Sequence, residues 1–550
     1  MKRIISILLA ALTGLGALAQ DGHLRERTLL TTDRSYYAAG ESIKCSAFCL
    51  QAPGEFSNFS SIAYVEVYGN EGTVATGKVA LVAGRGGCSI DIPADVPTGN
   101  YRIAAYTAVN KNEEAYDFNT TSKVISIFNT GSSAREKDAV TVVDGKPEGL
   151  TVRHTPTSGL KINLEKVEEG LYKGTVTSDK DASISISVWN DEGFDNYNNF
   201  TLGMQEKVVW NEPTTHRDNV TGEYDGEIVY AYLKGLADTS AIFLASPGSR
   251  SDIYKGRLLP DGRMAFFTDN IYGNKDVAVI SMSDVPSTFD AEIESPFVGL
   301  SADVLPALQI APSMKEGLTN LDAALRIGKS FDADTLYSAL KVRKLDLLGP
   351  CQNKYNLDDY TRFVTMREVF IEYLHDIHID RDKDAVVMNV KTLDVKNISS
   401  YRHFTNSLIL LDGVPVVDHS IIYNMDPLLI KSVEIYPSNY AFGTSYFCGA
   451  ANFITYKGDL AGAQLGKSSR ILSFKGASVP MVYSATKAAY DPNFPAISET
   501  LFWHPLVSVP AGEVYSIDVV APALPGNYVL TIEGFTADGD PLFYQTTFTM

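Results

Sequence analysis

Eight histidines and five cysteines are the side chains of this 550-residue chain best suited to metal or nucleophilic chemistry, and their spacing limits what they could do. His375 and His378 stand three apart, close enough to share a helical face and offer two imidazoles to one metal ion. No His-Glu-x-x-His pattern surrounds them and no third ligand is near in sequence, so they read as a solvated pair. Asp380, Asp382 and Asp384 copy the first three ligands of a calcium loop. Ala385 then takes the place whose sharp turn needs glycine, and Lys391 that of the bidentate glutamate, so the run reads as a charged turn. Neither a Gly-x-Ser-x-Gly elbow nor the phosphate-loop pattern Gly-x-x-x-x-Gly-Lys-Ser/Thr occurs. Cys448-Gly449 has no histidine placed to activate the thiol. Acidic pairs are too common to single out in a chain of net charge −19. No catalytic residue, metal or cofactor is expected, and the chain reads as non-enzymatic.

The same negative charge argues against nucleic acid and against adsorption to anionic lipid. With 45% hydrophobic and 21% charged residues the chain should fold rather than stay disordered. Its start has the form of an export leader: basic Lys2 and Arg3, a mostly apolar run Ile4 to Leu18, and the small-x-small site Ala17-Leu18-Ala19. Cleavage after Ala19 is expected, with no acylated cysteine and no later segment apolar enough to span a bilayer as a helix. Export permits disulfides. Cys45 and Cys49 share one face of an expected strand and Cys88 begins another. Pairing of one of them with Cys88, or three buried free thiols, both fit; Cys351 and Cys448 are likewise unassigned.

The elements that would position these residues are mostly strands. From 20 to 130, Ile43, Cys45, Ala47 and Cys49 alternate with Lys44, Ser46 and Phe48, and Ala63, Val65 and Val67 with Tyr64, Glu66 and Tyr68. Cys88 to Ile92, Tyr101 to Thr107 and Val124 to Phe128 complete the set for a β-sandwich. A polar linker follows at 131–148. A small second sandwich is expected over 149–205, where Ser183 to Trp189 gives the cleanest alternation. A third is expected over 206–295. From 296 to 375 the apolar spacing turns helical at Leu318 to Ile327, Thr335 to Leu347 and Thr365 to Leu374, which suggests a helical connector. An α+β segment spans 376–458, a linker with an isolated strand near Arg470 to Phe474 spans 459–495, and a sandwich-like C-terminal segment spans 496–550. The fold class expected is mainly β and multidomain.

Two stretches add resemblances. Asp33-Arg34, Tyr37, Gly40-Glu41, Pro93, Gly99 and Tyr101 resemble the macroglobulin-like domain near the start of alpha-2-macroglobulins. The thioester motif of those proteins is missing, because Gly87-Cys88 is followed by Ser89-Ile90 with no glutamine. In the 376–458 segment, Asp412-Gly413-Val414-Pro415 after an apolar strand, the strand Ile430 to Ile435, Phe442-Gly443, and Ala451 to Tyr456 running into Lys457-Gly458 resemble the plug domain of TonB-dependent receptors. Asp-Gly alone predicts a tight turn, since glycine accepts φ > 0. The residues after Gly458 are too few for a receptor barrel of some twenty strands at roughly 10 residues each, so a plug without its pore is expected.

The combination resembles barrel-less, plug-containing macroglobulin-like proteins of Bacteroidota. It implies an exported protein, periplasmic or outer-membrane-associated, with a protein partner in the envelope such as an outer-membrane barrel. The exposed uncharged loop Ser438 to Tyr446, with Tyr440 and Tyr446, is the expected contact. A macroglobulin-type protease inhibitor without a thioester is the alternative. In the plug-like segment Leu408, Leu410, Val433, Ile435 and Phe453 should be buried, and Gly413 and Gly443 should take positive φ.

Overall fold

A computed structural model of the protein describes residues 25–550 apart from several segments, the main ones being 146–155, 195–207, 211–221, 393–406 and 484–497. The expected leader at 1–19, together with Asp384, Gly443 and most of Thr335 to Leu347, lies outside the described residues. Among the described residues 53% are in strands and 10% in helices, so the fold is mainly β. It divides into two compact units. The first takes the chain up to Tyr224, then Phe297–Leu340 and Ser478–Met550; the second takes Asp225–Pro296 and Lys341–Ala477.

In the first unit the opening sandwich forms where the alternation placed it. Ser42–Gln51 pairs with Glu26–Thr32 and Arg85–Asp91 in one sheet. The other sheet runs Tyr36–Ala38, Lys123–Phe128, Gly99–Tyr106, Ile62–Gly69, Gly72–Ala80. Ile43, Cys45, Ala47 and Cys49 meet Val65, Val67, Ile103 and Ile125 in the core between them. Phe48, on the other face, is buried as well, against Phe535 with ring centroids 5.8 Å apart. The resembling residues are structural here. Arg34 pairs with Glu41 at 2.8 Å, the Tyr37 hydroxyl donates to Asp33 at 2.7 Å, and that of Tyr101 to the Pro97 carbonyl at 2.8 Å. Buried Glu66 accepts from the backbone N–H groups of Val298 (2.9 Å), Gly299 (3.2 Å) and Leu300 (3.0 Å), and from the hydroxyls of Thr73 and Tyr106. A desolvated carboxylate is tolerated when its lone pairs are all engaged, and this one anchors the segment that begins at Phe297.

The second sandwich corrects two expected boundaries. Leu160–Glu168, Leu171–Ser178 and Val514–Val520 form one of its sheets; Thr500–Val509, Ala182–Asn190, Asn527–Thr536 and Pro541–Thr549 form the other. The expected domains 149–205 and 496–550 are therefore halves of one domain. Ala182–Asn190 pairs on both edges with C-terminal strands. Its isoleucines fill the shared core, while its serines are covered too: Ser185 meets Ser46 at 3.3 Å and Ser183 accepts from Arg85 at 2.5 Å. The helix Lys315–Phe331 lays Leu318, Leu321 and Leu325 on a cluster that includes Tyr36, Trp189 and Val529.

The second unit joins parts of four expected segments. Asp290–Ile293, Ile228–Lys234, Met264–Phe267, Asp252–Leu258, Ile242–Ser246, Asn274–Ser281 and Ser469–Lys475 make a seven-stranded antiparallel sheet in that order. Asp252–Leu258 pairs with Ile242–Ser246 through its first half and with Met264–Phe267 through its second. Gly256 stands at this switch, where a Cβ would lie 2.6 Å from the Met264 sulfur. One face packs on itself through Leu244, Phe266 and Val279. Phe243, Ala245, Ile253, Ala278 and Ile280 on the other enter the core of the plug-like segment. The strand expected near Arg470 to Phe474 within the linker 459–495 forms as Ser469–Lys475, not isolated but an edge strand paired with Asn274–Ser281. The expected connector 296–375 is split between the units, and its Asn353–Asn356 pairs with Ile430–Phe442. Each misplaced boundary follows from pairing between distant residues, which local patterning does not encode.

Candidate functional site

The plug-like segment is a five-stranded mixed sheet in the order Asn353–Asn356, Ile430–Phe442, Ser445–Thr455, Leu408–Leu411, Val414–Pro415. Two short helices, Met366–Glu372 and Ser420–Tyr423, pack on it; Thr365 caps the first in a capping box with Glu368. Leu408, Leu410, Val433, Ile435 and Phe453 are all buried.

Its turn residues converge on one carboxylate. Asp412 (φ 48°) and Gly413 (φ 78°) both adopt left-handed backbone, closing the tight turn before Val414–Pro415. Asp412 is fully buried. It accepts from Thr455 N at 2.7 Å, from Thr455 Oγ1 at 2.6 Å and from Leu460 N at 2.8 Å, and its own N–H donates to the Phe453 carbonyl. The Gly413 N–H donates to Asn452 Oδ1, and that of Gly458 (φ 68°) to Thr455 Oγ1. Asp412, Gly413 and Gly458 are thus joined through Asn452 and Thr455 in one hydrogen-bonded brace; Pro415 is buried in the adjoining strand opposite Leu410, Gly458 is half-buried and Lys457 is exposed. The brace supports an unusual element. Leu460 (φ 65°), Ala461 (φ 48°) and Gly462 (φ 74°) form a left-handed turn, a conformation that costs a non-glycine residue about 1–2 kcal/mol. Asp412 holds its first N–H and Asp459 its second, at 3.1 Å.

A second feature lies at the far end of the sheet. Beyond an irregularity at Tyr436/Asn439, residues 439–442 and 445–448 pair only with each other among the described strands. They form a two-stranded arm to whose outer edges no further described strand is paired, the Cys448 carbonyl accepting from Ser407 Oγ at 2.6 Å. Tyr440, Phe442 and Phe447 face the core: Phe442 meets Phe447 at 6.0 Å and Phe243 at 6.4 Å, and the Tyr440 hydroxyl donates to the Leu348 carbonyl at 3.1 Å. Ala441 and Tyr446, opposite one another, are exposed, Tyr446 by 53%. The two tyrosines expected to form one contact therefore lie on opposite faces, because strand side chains alternate.

The sequence candidates for chemistry stay apart. His375 approaches the Ile371 carbonyl, whereas His378 approaches Asp380 on an exposed hairpin. Among the described residues no group of three potential metal ligands occurs. Cys448 is half-buried and burial raises its thiol pKa, the reverse of what a nucleophile needs. Cys88 Sγ lies 2.9 Å from Cys45 Sγ, with Cys49 elsewhere against Thr28. Sequence reasoning missed His419, whose imidazole burial holds at about 4 and whose Nδ1 accepts the Met388 N–H. It also missed the left-handed turn, for which Asp459 and Gly462 were the only local signals.

Among solved structures, the chain is similar to the native conformation of Escherichia coli alpha-2-macroglobulin, with TM-score 0.24 and 8% identity over 96% of this chain and 40% of that one. The trypsin-activated form of the E. coli protein gives TM-score 0.24 and 8% identity over 95% and 41%. A Salmonella alpha-2-macroglobulin mutant gives TM-score 0.24 and 10% identity over 97% and 40%. The chain spans about two fifths of the length of these proteins. Neither a protein-family model nor a curated protein matches it. No described helix is long and apolar enough to cross a membrane.

Proposed function

We propose that the chain is a non-enzymatic binding protein of a bacterial cell envelope, and that the arm at 439–448 engages a partner protein such as an outer-membrane barrel. The observation that carries this reading is the arm itself: an uncharged ribbon anchored by Tyr440, Phe442 and Phe447, with Tyr446 outward and, among the described residues, no further strand paired to either edge. Open strand edges are templates for pairing with another chain, and proteins usually blunt them with charge. The leader-like start and the plug-like turn residues support placement in the envelope.

The inhibitor reading has less behind it. The residues shared with macroglobulin-like domains serve to hold the first sandwich together, and Cys88 is buried against Cys45 rather than presented to a protease. Crosslinking in intact envelopes followed by affinity recovery tests the proposal. Wild-type chain should recover one barrel protein, and Tyr446→Ser should lose it while its unfolding midpoint stays unchanged. Recovery of a protease complex in place of a barrel protein would favour the inhibitor.

A further inference from the structure

The loop that follows the braced turn opens onto a cleft of about 800 Å³ in the second unit. That is the size of a small-molecule site. Its lining is cationic in a chain whose net charge is −19: Lys467 and Arg470 come from the loop, and Lys275 from the neighbouring strand Asn274–Ser281. The two lining carboxylates are engaged locally. Asp459 accepts the Ala461 N–H, and Asp276 accepts the Ser473 hydroxyl at 3.1 Å. Arg470 donates to the carbonyls of Lys467 and Ser469 and stacks 5.2 Å over the Phe289 ring. Among the described residues, neither Lys467 nor Arg470 has a carboxylate within salt-bridge distance. Gln464, Gly466 and Lys467 also line the cleft, and their backbone N–H groups donate to no protein acceptor among the described residues.

Uncompensated cations beside unspent backbone donors on a glycine-containing loop are the chemistry that receives an oxyanion. The spacing Ala461-x-x-x-x-Gly466-Lys467-Ser468 differs from a phosphate loop only in alanine for the first glycine, and Ala461 sits at φ 48°. A strand, Ser469–Lys475, follows in place of a helix, so the nucleotide-hydrolysing arrangement is not formed.

We propose that this cleft binds a phosphate group, held by Lys467, Arg470 and the 464–467 backbone. The strained turn at 460–462, braced by Asp412, would then be retained because it sets the path of that loop. The site is independent of the arm. Isothermal titration of the full chain with inorganic pyrophosphate tests it, alongside co-sedimentation with phosphatidylglycerol vesicles to separate a free phosphate from a lipid headgroup. Binding of pyrophosphate, weakened by added salt, is expected. Lys467→Gln with Arg470→Gln should lower affinity roughly tenfold or more with an unchanged melting temperature, and Tyr446→Ser should bind as wild type. Retention on vesicles without pyrophosphate binding assigns the phosphate to a lipid headgroup. Absence of binding to both, or equal binding by the double variant, overturns the proposal.

Discussion

A carboxylate without solvent must find its donors inside the fold, and Asp412 finds three, on Thr455 and Leu460. Asp412→Asn separates this role from the turn, since asparagine accepts left-handed backbone but turns one acceptor into a donor. It should cost about 2 kcal/mol in urea unfolding, and Asp412→Ala about 3 kcal/mol, because two buried N–H groups lose their acceptor. Equal stability of all three proteins would remove the brace. The Asp-Gly turn itself was readable from two letters; the carboxylate's partners, more than forty positions away, were not. The cysteines show the same division. Alternation put Cys45 and Cys49 on one face, but only the register places Cys45 opposite Cys88. Exchange with an oxidised dithiol should join these sulfurs as a disulfide, the oxidant taking up both thiol hydrogens. Intact mass should fall by two hydrogens, Cys88→Ser should abolish the change, and Cys49 should still alkylate after denaturation.

Most elements defined by local pattern were found where expected, but within the expected helical stretch Thr335 to Leu347 the described residues Tyr337–Ala339 are a strand, paired with Met481–Tyr483. Elements defined by a distant partner were misplaced. The strand Ala182–Asn190 is unmistakable in its alternation, yet both neighbours come from beyond residue 499. The arm was read as a loop because its strands continue past their sheet, and pairing in a ribbon leaves the same uncharged composition as a turn. The left-handed turn is the clearest failure, since nothing in Leu460-Ala461 announces positive φ. It also gives a test with an unusual sign. Ala461→Gly should raise stability by about 0.5–1 kcal/mol, as relief of strain exceeds the entropy glycine adds to the unfolded chain. A destabilised variant would mean that the alanine is unstrained there.

At the scale of the molecule, stability should depend on pH through a buried pair in the first unit. Lys123 Nζ and Glu533 Oε2 lie 4.0 Å apart with side chains 0% and 2% exposed. Burial pushes the Glu533 carboxyl up to about 7 despite the lysine's opposing pull, and burial lowers Lys123, with Asp33 and Cys45 nearby favouring its charge. The unfolded glutamate releases its proton near 4.5, the folded one near 7, so the native state binds more protons in between. Stability should therefore fall as pH rises through that window, by up to about 3 kcal/mol, and level off above it. Urea midpoints measured across the window should show this slope in wild type, and Glu533→Gln should remove or reverse it. Replacing both residues together, Lys123→Met with Glu533→Leu, should leave stability unchanged or raise it by about 1–4 kcal/mol. The net charge had suggested only that partners would be neither nucleic acid nor anionic membrane; that a lysine is enclosed opposite a glutamate depends on how the two sandwiches of the unit meet.

The interleaving of the second sandwich also has a consequence in time. Ala182–Asn190 leaves the ribosome long before Thr500–Val509 and Asn527–Thr536, and at ~5–20 residues per second the wait is on the order of tens of seconds. During that interval a strand that ends with both edges occupied has neither, and its isoleucines have no opposing sheet. Such high contact order makes completion slow, and the waiting strand is a ready template for pairing between nascent chains. The segment that reads most cleanly as a strand is thus the one most in need of a holding chaperone until the last strands arrive.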